Sequence, residues 1–152
     1  MQLTTNFSKE ELERSSMAIK YDLDNSIPSH LQGNAYRLAE WLQVLRDRLK
    51  QHFGKDVPIV VSSAYRSPAL NAKVRGSATS AHIECLAADI KAIGLSVPSL
   101  WNFIRENMAD VGYDQNIEEH QSWVHIGLSS TRKRRQDLIA RREHGETVYR
   151  RA

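Results

Sequence analysis

Cysteine is nearly absent: Cys85 is the only one in 152 residues. That excludes an internal disulfide framework and a zinc centre built from several thiolates. No apolar run approaches the roughly 20 residues of a membrane-spanning helix, and the mean hydropathy is −0.51. Glycine and proline number only 7 and 4, which removes collagen-like and low-complexity classes. The opening Met-Gln-Leu-Thr-Thr-Asn-Phe has neither the basic segment nor the apolar core of a secretory leader. Internal repeats and long linkers are missing too. What is left is the expectation of one soluble domain over residues 1–152, made in a cytoplasm. A chain of this length buries roughly 68–70% of its unfolded surface.

Charge is unevenly placed. Residues 131–152 hold eight Lys/Arg against three Asp/Glu, a balance of +5, which leaves 13 basic and 15 acidic residues, −2, in the first 130. A basic end on a near-neutral body suits an anionic partner such as a cell-wall polymer, a membrane surface or nucleic acid. It equally suits a solvated edge hairpin kept soluble by its arginines.

The pattern predicts helices first and strands later, an α+β domain with N-terminal helices packed on a small antiparallel sheet. Ser8 and Glu11 are spaced as a capping box, with Phe7 and Leu12 at the staple positions of a first helix. After a loop over 24–28, Ser29 and Gln32 form a second capping pair. Leu31, Ala35, Leu38, Leu42, Leu45, Leu49 and Phe53 then make one apolar face, ended by Gly54. Strands are expected over 57–63, 86–93 and 123–128, and helices over 67–74 and 97–108. A hairpin turning around Gly145 closes the chain. Trp41 and Trp101 read as packing residues.

Strand parity isolates two polar side chains. Val124, Ile126 and Leu128 share a core-facing side, so His125 projects to the other face beside Trp123. Leu86, Ala88 and Ile90 do the same for Asp89, a carboxylate in an apolar strand that must be paired or bound to metal. His82 lies in the loop feeding that strand. Two imidazoles and one carboxylate form a catalytic zinc set with one position left for water. The competing reading is a hydrogen-bonded rim histidine, with Asp89 paired to Lys91 or Arg66.

Residues 63–67 read Ser-Ala-Tyr-Arg-Ser, residues 80–90 Ser-Ala-His-Ile-Glu-Cys-Leu-Ala-Ala-Asp-Ile, and residues 123–126 Trp-Val-His-Ile. In this order and spacing the chain resembles the zinc D-Ala-D-Ala carboxypeptidases of the hedgehog/DD-peptidase superfamily, in their compact bacteriophage branch. The resemblance implies one Zn2+ held by His82, Asp89 and His125, and a substrate-binding Arg66. Many relatives carry an acid three residues before the last zinc histidine, where this chain has Ser122. The phage-like spacing puts the acid six before it, which makes Glu119 the general base, with Glu118 in reserve. Ser80, Trp123 and His120 are candidate substrate contacts, and Ser80 alternatively a turn residue. Cys85 stands where relatives often have glycine, so a turn needing positive φ would be crowded there.

The expected function is hydrolysis of an amide bond in the peptide stem or cross-link of bacterial peptidoglycan. A phage lytic enzyme, released to the wall by a partner or carried in a virion, fits the resemblance. The competing class is an inactive phage structural or wall-binding protein that keeps the zinc fold. Nucleic-acid binding through Arg132, Lys133, Arg134 and Arg135 lacks an aromatic platform and ranks last.

Overall fold

Phe7 and Leu12 are fully buried, and between them the Ser8 hydroxyl accepts a hydrogen bond from the Glu11 amide to start α1 (Lys9–Glu13). The computed structural model describes residues 1–152. A second short helix, α2 (Ser16–Lys20), follows under a Ser15 cap. The expected Ser29 cap does not form: Pro28 holds the cap position, and a 3-10 turn (Ser29–Leu31) leads into α3 (Gln32–Phe53) instead. Gly54 ends α3 at φ +71, a left-handed conformation that glycine adopts without strain. Its inward stripe from Ala35 to Leu49 is buried, whereas Phe53 remains 42% exposed.

The rest alternates strands and helices: β1 (Ile59–Ser63), α4 (Pro68–Lys73), β2 (Ala87–Ala92), α5 (Val97–Asn107), β3 (Gln115–Glu119), β4 (Trp123–Gly127), β5 (Gln136–Glu143) and β6 (Glu146–Arg151). Six strands make one sheet in the order β1-β2-β4-β3-β5-β6. All pairs are antiparallel except β3 with β5, so the sheet is mixed, not purely antiparallel.

Parity divides the sheet. Ile59, Ala88, Ile90, Val124 and Ile126 join the stripes of α3 and α5 in one apolar core. The two tryptophans secure it, Trp41 Nε1 donating to the Gly112 carbonyl at 2.9 Å and Trp101 Nε1 to the Asn116 carbonyl at 3.0 Å. The opposite face carries no helix stripe. Its residues run across the strands in register: Ser63, Asp89, His125, Ile117 and Leu138 in one row, and Trp123, Glu119, Ala140 and Tyr149 in the next.

Candidate metal centre and cleft

Asp89 and His125 are direct partners across β2 and β4. Their side chains therefore leave the same face side by side, with His125 Nδ1 3.0 Å from Asp89 Oδ1. His82 reaches them from the loop before β2. Its ring is 2% exposed, Nδ1 lies 2.6 Å from the Ala64 carbonyl, and Nε2 lies 3.5 Å from Asp89 Oδ1. The Ala64 carbonyl accepts the Nδ1–H and so orients the ring with Nε2 facing Asp89, the usual support of a ligating imidazole. The three donor atoms all lie within 4.8 Å of one another.

This set fits a zinc ion. Ligands about 2.0–2.1 Å from a tetrahedral centre stand about 3.3 Å apart, and the two separations from Asp89 Oδ1, 3.0 and 3.5 Å, bracket that edge. Two imidazoles and one carboxylate suit zinc, and three protein ligands leave a coordination position for water. Burial by itself would raise the Asp89 pKa, but hydrogen bonds from His125 and His82 outweigh it and hold the carboxyl well below its ordinary range. Neither Lys91 nor Arg66 pairs with Asp89; its partners are the two histidines.

The centre sits in a cleft of ≈ 690 Å³ that also takes in Arg66, Ser80, Glu119, Trp123 and Tyr149. Arg66 follows β1, and its backbone amide bonds the His82 carbonyl at 3.0 Å. Its Nη2 donates to Ser80 Oγ at 3.3 Å, while Nε is buried without a partner. Burial lowers the Arg66 pKa, against the opposing pull of Asp89 and Glu119. Ser80 Oγ also accepts from the His82 amide at 3.2 Å, so one hydroxyl ties the guanidinium to the ligand loop.

Glu119 ends β3 on the cleft face, opposite Trp123. Burial raises its pKa and the Asp89 charge adds to this, with the imidazoles opposing. Glu118 points the other way: it is 3% exposed, on the core-side face, and ion-paired to Arg141. The reserve candidate is thus outside the cleft. His120 is outside the cleft lining as well. It occupies the β3–β4 turn at φ +53, edge-on to Trp123 with centroids 6.4 Å apart. Ser122 completes this turn, its amide bonding the Glu119 carbonyl at 2.8 Å.

Cys85 adopts φ +56 in the turn before β2, the strained conformation that glycine would relieve. Its side chain is fully buried in the core, and burial pushes the thiol up to about 12, so it supplies no thiolate to the centre. Sequence reasoning missed Leu138 and Tyr149, which the last two strands bring to the cleft. Alternation within the hairpin puts Thr147, Tyr149 and Arg151 on one side, but only the parallel β3–β5 pairing shows that this is the cleft side.

A family model described as Peptidase M15 matches residues 5–127. No curated protein matches the chain. The matched span covers the three donors, Arg66 and Glu119, and ends before the C-terminal hairpin.

Proposed function

The chain belongs to the peptidase M15 family, and from that premise we propose that it is a zinc metallopeptidase cutting an amide bond in the peptide stem or cross-link of bacterial peptidoglycan, as a D,D-carboxypeptidase or an endopeptidase. One observation carries this reading: a three-residue donor set, a half-buried carboxylate and a guanidinium with an unpaired buried donor share one cleft. His82, Asp89 and His125 would hold the ion. When bound there, zinc supplies Lewis acidity to the scissile carbonyl and acidifies a water to the point of attack near neutral pH.

The chain's own residues do the rest. Glu119 accepts the attacking water's proton on a carboxylate oxygen and returns it to the leaving amine nitrogen. Arg66, steadied by Ser80, offers its donor fork to a substrate carboxylate or to the developing oxyanion. Trp123 flanks Glu119 and walls the cleft. Residues 1–152 act as one domain, a reading supported by the single sheet that joins β1 to β6. The finer reading is a bacteriophage lytic enzyme, supported by the acid placed six residues before His125. The basic segment 131–152 adds residence on an anionic wall at low salt.

Glu119→Gln tests this directly. It retains zinc by metal analysis and lowers turnover of stem-peptide fragments by roughly 10²–10⁴-fold, whereas His82→Ala loses zinc and activity together. A fully active Glu119→Gln protein rejects the base assignment. Wild-type protein that holds zinc but leaves every fragment intact would transfer the reading to a wall-binding protein.

A further inference from the structure

The last two strands lie beyond the span matched by the family model, yet they build part of the cleft. Tyr149 stands opposite Ala140 in β5, Ala140 opposite Glu119 in β3, and Glu119 opposite Trp123 in β4. Residues opposed in register share a face, so these four side chains form one row across the site side of the sheet. Ala140 contributes only a methyl group and is fully buried. Tyr149 and Glu119, on either side of it in the row, both line the cleft. In the adjacent row Ile117 and Leu138 extend from His125, and both line the same cleft. Ile117, Leu138 and Tyr149 therefore give the cleft an apolar side next to the donor set.

Tyr149 itself remains 53% exposed. A large ring left half-bare over a cleft, backed by buried apolar residues and bearing a hydroxyl, is an amphipathic surface of the type that packs on a ligand and hydrogen-bonds it together.

We propose that Tyr149 is a substrate-contacting residue that the C-terminal hairpin delivers to the cleft, its ring packing on the stem-peptide segment that lies beside Leu138 and its hydroxyl hydrogen-bonding that segment's backbone. The inference rests on the peptidoglycan reading above. It gives the hairpin a recognition role that does not depend on its arginines.

The test measures binding of a defined stem-peptide fragment by calorimetry in zinc-loaded Glu119→Gln protein, where no turnover intervenes, with and without changes at Tyr149. Tyr149→Ala weakens binding about tenfold, equivalent to about 1.4 kcal/mol, and Tyr149→Phe, which keeps the ring, weakens it only about threefold by loss of one neutral hydrogen bond. In the otherwise wild-type enzyme Tyr149→Ala raises KM with kcat little changed, the mark of contact made equally before and during reaction. Thermal melts check that each variant is folded, and Tyr149→Phe retains the packing if the alanine variant is not. Fragment binding unaltered in both variants overturns the proposal alone. A Glu119→Gln parent that binds no stem peptide at all overturns the peptidoglycan reading and this inference with it.

Discussion

Replacing Arg66 by methionine separates a residue kept for substrate from one kept for structure. The guanidinium forms a single side-chain hydrogen bond, a 3.3 Å contact to Ser80 Oγ, and leaves a buried Nε without a partner. A buried unsatisfied donor costs about 1–3 kcal/mol, and the low end applies because the side chain is only half-buried. Methionine keeps the aliphatic packing and removes the orphaned donor and the partly desolvated charge. The Arg66 amide bond to the His82 carbonyl is untouched. Stability should therefore rise by about 1 kcal/mol, which for a chain of this size moves Tm up by about 2–4 °C. Activity on stem-peptide fragments should fall by about 10²–10³-fold in kcat/KM, the loss typical of one oriented transition-state donor. Calorimetric melts beside fragment hydrolysis measure both. A lower Tm with activity retained would show that Arg66 is a structural residue and would refute the reasoning.

Three further outcomes follow from neighbouring geometry. A Cβ at Gly76 would overlap Asn71 Oδ1 and stand 2.9 Å from Arg66 Nη1, and Asn71 is buried and held by its bond to the Ser77 carbonyl at 3.0 Å; Gly76→Ala should cost about 1–3 kcal/mol and lower kcat/KM with it, and melts and rates both at wild-type values would contradict this. At Cys85, φ +56 means that Cys85→Gly relieves strain that Cys85→Ala retains, so the glycine variant should melt no lower than the alanine one despite glycine's usual deficit of about 0.5–1 kcal/mol; a clearly lower Tm for glycine would show no strain to relieve. Asp114 is 7% exposed and holds Arg134 through contacts at 2.7 and 2.9 Å, which lower its pKa. A depressed pKa contributes stability above the unfolded value that is lost as pH falls through the folded one, so Asp114→Asn should cost about 1–2 kcal/mol at pH 7 and progressively less below the ordinary value of 3.8. Urea melts across that range check it, and a constant difference would contradict it.

The donor set was legible because its two strands obey simple alternation. Asp89 and His125 each project to the face opposite an apolar, core-facing one, and opposing them in register brings the two side chains together. The strand β3 was not legible, because two of its three buried positions, Asn116 and Glu118, are polar. Asn116 is buried through bonds with Trp101 and Asp137 and Glu118 through Arg141, so the segment shows no period-two hydrophobic signal. Missing β3 hid the parallel β3–β5 pairing, and with it the place of Leu138 and Tyr149 in the cleft. It also left Glu119 preferred to Glu118 only by its spacing from His125, whereas alternation sends Glu118 to the core side and Glu119 to the cleft. The Ser29 capping pair failed for a local reason: Pro28 took the cap position and a 3-10 turn preceded the helix.

The central claim is that the cleft of His82, Asp89, His125, Arg66 and Glu119 hydrolyses peptidoglycan peptides with zinc. Mass spectrometry of purified stem-peptide fragments, after incubation with zinc-loaded protein beside a chelator-treated control, tests it most directly. The account predicts chelator-sensitive cleavage of one amide bond, seen as loss of a terminal alanine or as a new internal amino end that names the bond. Fragments left unchanged by protein shown to hold its zinc would contradict it.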